Sequence, residues 1–568
     1  MAVNESAQSE QRTFRVIILA GVLSWVVWLI LMRMSAQFAW ESAPTERPLL
    51  AVLGVLGLLF GLYAGVASVV LRDAPERRNL TAIVIFSVAF RLLTLFSEPI
   101  QEVDAYRYIW DGKVVAAGVN PFRYSPEQVR NAQENKPLAA DLRRLIRVRD
   151  RSATNAEILS RVHYAELTTV YPPVSQIVFG GVALLTPHAW SVSSQLLMMK
   201  VAMVVFDLAT LVLVIRLLRF TGRPQEWSIL YGWCPLIVKE FANSGHLDAI
   251  TVFLTTASVV CALHAFFPAC GRRERTAWLW WCSLLVVAAV GAKIYPVVLF
   301  PMMFLGACRV FGFVRASFVA TVTLSLCVLM IVPMLIRDDP VQATATAADF
   351  DDASAASEVE TQTGLTAFAS QWQMNDFLFL LLYENLRPDV LPNQLTDSAL
   401  PQIENARPAV WFVVTSGDWR RWFAKRASVV LGVPARRVPF LATRLITSLI
   451  FLGVALSLVV RCGRQWNRES WLEAVFLTLA WFWMLQPTQN PWYWTWAMPF
   501  VPFVRSRVWI AVSGVVLIYY LRFWLIYHVP DTPVAKTAYA GENFYDFCVV
   551  WMEYAPFLCC LAISSRRG

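Results

Sequence analysis

Charged residues are too few in this chain for a soluble or a disordered protein. Of its 568 residues 16% are charged and 57% are hydrophobic, with a mean hydropathy of +0.51. Disorder requires the opposite balance, and a water-soluble fold has no interior large enough for so much apolar surface. Cysteine is thin too. The ten cysteines are scattered singly apart from the adjacent Cys559 and Cys560, no C-x-x-C pair occurs, and segments 98–195 and 337–438 contain none. That argues against a disulfide framework and against a thiolate metal site. A G-x-x-x-x-G-K-[ST] loop and a Rossmann fingerprint are both missing, so neither nucleotide fold is present. The net charge of +9 is organised loop by loop and makes no case for nucleic acid.

Apolar runs of membrane-crossing length are what the chain does have. They fall at roughly 14–33, 49–71, 80–97, 196–218, 228–242, 247–267, 276–292, 294–311, 315–336, 439–460, 471–486, 491–507, 509–527 and 546–563. The first follows Arg12 and Arg15 and is too long for a signal-peptide core, so it reads as a retained anchor. The expected fold is an all-α polytopic membrane protein of roughly 13–15 spanning helices. Its expected divisions are N-terminal spans 1–97, a first large outer loop 98–195 and a core 196–336. A second outer loop 337–438 and C-terminal spans 439–568 complete it.

With the N-terminus inside, arginines gather on the cytoplasmic loops: Arg72, Arg77 and Arg78; Arg216, Arg219 and Arg223; Arg272, Arg273 and Arg275; Arg461, Arg464 and Arg468; Arg566 and Arg567. This is the positive-inside pattern. The stretch 337–362, placed outside, is acidic and low in complexity, with Asp338, Asp339, Asp349, Asp351, Asp352, Glu358 and Glu360. It reads as a solvated loop. Two segments resist the pattern. The apolar run 171–187 would reverse the later loops if it spanned, so it is expected to be interfacial or re-entrant. The basic stretch 419–437 is placed outside against the rule, lying along the membrane surface toward anionic lipid or a phosphate.

Four polar constellations fall on the outer side. In 102–126, Asp104, Arg107, Tyr108 and Asp111 are spaced for one helix face, with Lys113 following and Gly118, Asn120 and Pro121 ending the helix. A carboxylate there can take a proton from a hydroxyl, and an arginine fork suits a phosphate oxygen. A surface helix with solvated charges fits the same spacing. In 239–250, "KEFANSGHLDAI" puts His246 and Asp248 in a first helical turn, where Asp248 has a capping role available. His246 suits a hydroxyl, a phosphate or a proton; the other histidines are not in ligand spacing with it, so no metal is expected. Lys293, in "GAKIYP", either snorkels or faces a lipid phosphate at headgroup depth, and Arg444 admits the same two readings. In 486–500, Asn490, Trp492 and Tyr493 lie between Pro487, Pro491 and further aromatics. That composition fits an aromatic belt, and with its amides it also fits a sugar site.

Together these motifs resemble the membrane glycosyltransferases of the GT-C superfold, more narrowly the bacterial polyprenyl-phosphate-mannose-dependent α-mannosyltransferases. The matching elements are "DAYRYIWDGKVVAAGVNPFRYSP" at 104–126, "YPPVSQ" at 171–176, "GHLDA" at 245–249, "KIYP" at 293–296 and "NPWYW" at 490–494. The resemblance implies a GT-C-like bundle with extracytoplasmic loop helices, in the plasma (inner) membrane. It also implies inverting transfer of a hexose, mannose foremost, from a polyprenyl-phosphate sugar to a glycan, lipid or protein acceptor outside the cytoplasm. No nucleotide donor, cofactor or divalent metal is then expected. It makes Asp104 the general base and Asp111 a supporting acid. His246, Asp248 and Lys293 match polar positions around the donor, and Arg107, Tyr108 and Arg123 stand as further phosphate or sugar contacts. Asn490, Trp492 and Tyr493 would shape the sugar pocket. A transporter or flippase is the alternative; it predicts charges on a path reaching both faces, and no matching pair of broken helices is visible. A non-catalytic subunit of the same fold would tolerate loss of Asp104.

Overall fold

In the computed structural model the described residues are 2–73, 75–133, 138–267, 271–335, 364, 372–388 and 409–565. The acidic stretch 337–362 lies outside them. The chain is 77% helical and, among the described residues, has no strand, so it is an all-α polytopic membrane protein. Among the described residues, ten helices are long and apolar enough to cross a bilayer. They are Gln11–Phe38, Leu49–Val70, Arg77–Leu95, Val192–Thr221, Asp248–Phe266, Arg272–Ala292, Phe313–Leu335, Ala435–Arg464, Val508–His528 and Gly541–Ser564.

The other four apolar runs take different forms. The run 294–311 becomes the shorter helix Tyr295–Phe311, and 471–486 becomes the 17-residue helix Arg468–Met484. The runs 228–242 and 491–507 are broken. Pro235 and a π-helical turn, Val238–Asn243, interrupt the first; Pro491, Pro499 and Pro502 divide the second into one short α turn and one 3-10 segment. Proline removes an amide donor and clashes with the preceding turn, so an apolar run rich in it cannot remain one helix. Segment 171–187 folds as the helix Pro173–Leu185. Its 13 residues reach about 20 Å, short of a hydrocarbon core of about 30 Å.

The chain forms two compact units. The first comprises Met1–Ser87, Leu218–Ile237 and Ser370–Gly568. Its interior is aromatic: Trp471, Trp483, Trp494 and Trp509 are fully buried, and Trp494 stacks on Trp509 at 5.9 Å. The basic stretch 419–437 forms the helix Gly417–Leu431, which buries Arg420 and Ala424 while Trp419, Trp422, Val429 and Val430 stay exposed with Arg421 and Lys425. Exposed Trp beside cations is the composition of a helix lying in a headgroup layer.

The second unit comprises Val88–Leu217 and Val238–Ala369. Asp248–Phe266 packs along Arg272–Ala292, and the helix Asp104–Ala116 packs along Pro173–Leu185. Glycine permits the latter approach. A Cβ on Gly112 would run into the Phe179 carbonyl, and one on Gly180 would lie 2.6 Å from Val115 Cγ1. Between the spanning helices Arg77–Leu95 and Val192–Thr221, Arg91 meets Asp207 at 2.6 Å with both side chains wholly buried. Such a pair fixes which helix faces meet, because either charge alone in that interior would be far costlier.

Candidate active site

The Asp104–Ala116 helix begins at Asp104, where a carboxylate is favoured by the helix dipole. It ends as the sequence anticipates: Gly118 adopts φ +70°, its N–H reaches the Val115 carbonyl at 2.8 Å, and Val119 reaches Val114 at 3.2 Å. That stop aligns the expected face along the helix.

Asp104 is half-buried, and the hydroxyls of Tyr108 and Tyr171 donate to its Oδ2 at 3.5 and 3.4 Å. Its Oδ1 accepts no hydrogen bond among the described residues. Tyr108 is locked against Phe179, stacked at 4.8 Å, and meets Tyr171 edge-on at 5.1 Å. Burial and the nearby Tyr171, Asp104 and Asp248 push the Tyr108 hydroxyl well above its usual range, so it remains a donor.

A chain of ionisable groups continues from Asp104. His246 Nε2 lies 3.3 Å from Glu240 Oε2 and 3.8 Å from Glu102 Oε2, and Lys239 Nζ lies 3.4 Å from Glu240. Burial pushes the Glu102 carboxyl up to about 8, even though Lys239 and His246 pull it down. Burial works against a charged His246, but the Glu240 hydrogen bond and the charges of Glu102, Glu240 and Asp104 raise it overall. The backbone presents these groups through the π-helical turn Val238–Asn243 and then Gly245 at φ +72°, so His246 and Asp248 follow a sharp change of direction. Lys293 Nζ donates to both oxygens of Asp248, at 2.7 and 2.9 Å. The Asp104 charge acts on Glu102, Tyr108, His246 and Lys293 alike.

The remaining candidates are spread more widely. Arg107 Nη2 donates to the carbonyls of Tyr164 and Leu167 at 2.8 and 3.0 Å, which ties down the loop before Tyr171. Asp111 is buried and accepts from Gln176 Nε2 at 3.2 Å. Burial raises its carboxyl against the opposing effects of Arg107, Thr169 and Gln176. Gln176 also donates to Thr169 and to the Tyr171 carbonyl, so Asp111 bears on where Tyr171 sits. Arg123 pairs with Asp141 at 2.7 Å at a partly exposed position. Asn490, Trp492 and Tyr493 belong to the first unit, at the proline-broken turn. There Tyr493 stacks on Trp496 at 4.6 Å, and Asn490 Oδ1 is buried with no hydrogen bond among the described residues.

Sequence reasoning did not select Glu102, Lys239, Glu240 or Tyr171. A signal existed for two of them: Lys239 and Glu240 are ionisable groups in an apolar run, where such residues are functional by default. Among the described residues, no three His, Cys, Asp or Glu side chains gather as a metal site would need.

Spanning helices together with a buried ionisable cluster that opens at one carboxylate define a polytopic membrane enzyme. A family model described as alpha-(1->6)-mannopyranosyltransferase, N-terminal domain, matches residues 13–309, just over half of the chain. The chain belongs to that family and is a membrane glycosyltransferase of the mannosyltransferase type. The match includes every second-unit residue of the site. No curated protein and no solved structure matches.

Proposed function

We propose that the protein transfers mannose from a polyprenyl-phosphate donor to a glycan, lipid or protein acceptor, with inversion, on the extracytoplasmic side of the membrane. The observation that carries this reading is Asp104: a half-buried carboxylate held loosely by two tyrosines, one oxygen open, beside Lys293 and His246. In the reaction Asp104 takes the proton of the acceptor hydroxyl. The hydroxyl oxygen bonds to the anomeric carbon from the face opposite the phosphate, and the carbon–oxygen bond to phosphate breaks, its electron pair leaving with the polyprenyl phosphate. His246 and Lys293 stabilise the charge developing on that phosphate. Tyr108 and Tyr171 orient Asp104. Asp111 and Arg107 position the Tyr171 segment. The route needs no nucleotide and no metal.

The test is transfer from polyprenyl-phosphate mannose by purified protein in lipid vesicles, with a panel of acceptors. Wild type is expected to transfer, and Asp104→Asn to lose activity by about 100-fold or more, the scale of a lost general base. Equal transfer by both would remove Asp104 as the base. Transfer from a nucleotide sugar instead would overturn the donor assignment.

A further inference from the structure

Lys113 lies on the same helix as Asp104 but on the opposite side of it, and it is 3% exposed. Its ammonium makes no hydrogen bond or ion pair among the described residues. A lysine buried to that extent is ordinarily paired. The charges around it are of its own sign. Arg151, at the junction of the helices Ala140–Asp150 and Ala153–Ser160, and the Lys113 charge itself both act on His188. Burial, reinforced by Arg151, lowers Lys113 to about 8, and burial with Lys113 and Arg151 lowers His188. Arg144, in the same basic helix, reaches the Ala117 carbonyl at 3.4 Å. The nearest acid in sequence, Asp150, is taken by the guanidinium of Arg149 at 2.7 and 2.9 Å.

The donors are organised as well as charged. Asn155 Nδ2 donates to the Val148 carbonyl at 2.7 Å, which fixes its amide and presents the same nitrogen to His188 Nδ1 at 3.2 Å. His188 therefore accepts at Nδ1 and carries its proton on Nε2, which has no partner among the described residues. Ser152 caps the eight-residue helix Ala153–Ser160 and also holds the His188 carbonyl at 3.0 Å. The first-turn amides of Ala153 and Thr154 make no hydrogen bond among the described residues, so a helix N-terminus opens beside the cations.

We propose that Lys113, Arg151, His188 and the N-terminus of the Ala153–Ser160 helix form an anion site for a phosphate group, separate from the candidate active site. Folding has put two cationic groups and an imidazole N–H together with no carboxylate among them, which costs free energy unless an anion joins them. A tetrahedral phosphate oxyanion takes hydrogen bonds from an ammonium, a guanidinium, an imidazole N–H and backbone amides at once. The phosphate is either the headgroup of an anionic lipid or a soluble phosphate. Bound there, it would steady the far end of the helix that begins at Asp104. The inference does not rest on the proposed function.

The test uses the full chain in nanodiscs of phosphatidylcholine or phosphatidylglycerol, with the unfolding midpoint followed by tryptophan fluorescence. Inorganic phosphate is titrated against chloride at matched ionic strength. In phosphatidylcholine, phosphate is expected to raise the wild-type midpoint saturably, and Lys113→Met or Arg151→Gln to weaken that response about tenfold, the loss of one charge-assisted contact. If phosphatidylglycerol alone raises the wild-type midpoint and blunts the phosphate response, the site belongs to a lipid headgroup. An equal phosphate response in both lipids assigns it to soluble phosphate. Arg151 is exposed, so Arg151→Gln carries the test even if Lys113→Met fails to accumulate. The proposal is overturned if neither phosphate nor phosphatidylglycerol raises the midpoint, or if the variants respond as wild type does.

Discussion

Lys293 and Asp248 hold each other through two short hydrogen bonds, with the Asp248 side chain 1% exposed. Removing one partner strands the other. Lys293→Met leaves a buried carboxylate without its cation and is expected to cost about 3 kcal/mol or more. Lys293→Met with Asp248→Asn removes both charges and should recover most of that loss, read as the denaturation midpoint of each variant. Mannosyl transfer should remain lost in the double variant, because restored stability does not restore a charge for the donor phosphate. A double variant that regains activity would reduce the pair to a structural tie. The Glu102 carboxyl makes a second prediction at this scale. Its folded pKa of about 8 lies above its ordinary 4.5, so the native state holds this proton more tightly than the unfolded chain does. The contribution is therefore fully present below about pH 4.5 and is lost as pH rises through about 8. His246, also raised, acts in the same direction. Midpoints measured from pH 4.5 to 9 should fall more gently in Glu102→Gln than in wild type; parallel curves would sink the assignment.

The Asp104–Ala116 helix was the element easiest to read from sequence. The spacing of Asp104, Tyr108 and Asp111 and the Gly118 stop all reappear in the structure, since helix period and glycine caps are local properties. The partner of this helix was harder to see. Pro173–Leu185 is apolar enough to suggest a span, and only its docking against Asp104–Ala116 shows what it supports: Phe179 under Tyr108 and Gln176 on Asp111. Two glycines set that contact. Gly112→Ala would push its Cβ into the Phe179 carbonyl, a backbone atom with no rotamer to yield. A cost of about 1–3 kcal/mol is expected. Because Tyr108 and Tyr171 orient Asp104 from this interface, kcat should fall further than stability alone explains. Gly181→Ala, with open space around its Cβ, is the control and should be close to neutral. Equal behaviour of the two variants would show that the approach of these helices does not govern the site.

For the whole molecule, class and family were legible because hydropathy and short motifs run along the chain, whereas the site depends on contacts between residues far apart in it. Glu102 and Glu240 both come to His246 Nε2 only after folding, and nothing in their sequence positions pairs them. Arg107 illustrates the reverse case: its residue type suggested a phosphate, and its guanidinium grips two carbonyls of its own loop. Sidedness is the property of the whole chain on which the proposed reaction most depends, and loop charge is its present support. By the positive-inside pattern, the proposed reaction takes Arg461, Arg464 and Arg468 as cytoplasmic and the loop 98–195 as outside. That loop has no native cysteine, so a single introduced thiol reports its side. Ser160→Cys, at an exposed position, should react with a membrane-impermeant maleimide in intact cells, and Gln465→Cys only after permeabilisation, each read against wild type as the blank. The reverse pattern would put Asp104 on the cytoplasmic face, where nucleotide sugars are available, and the donor assignment would fall with it.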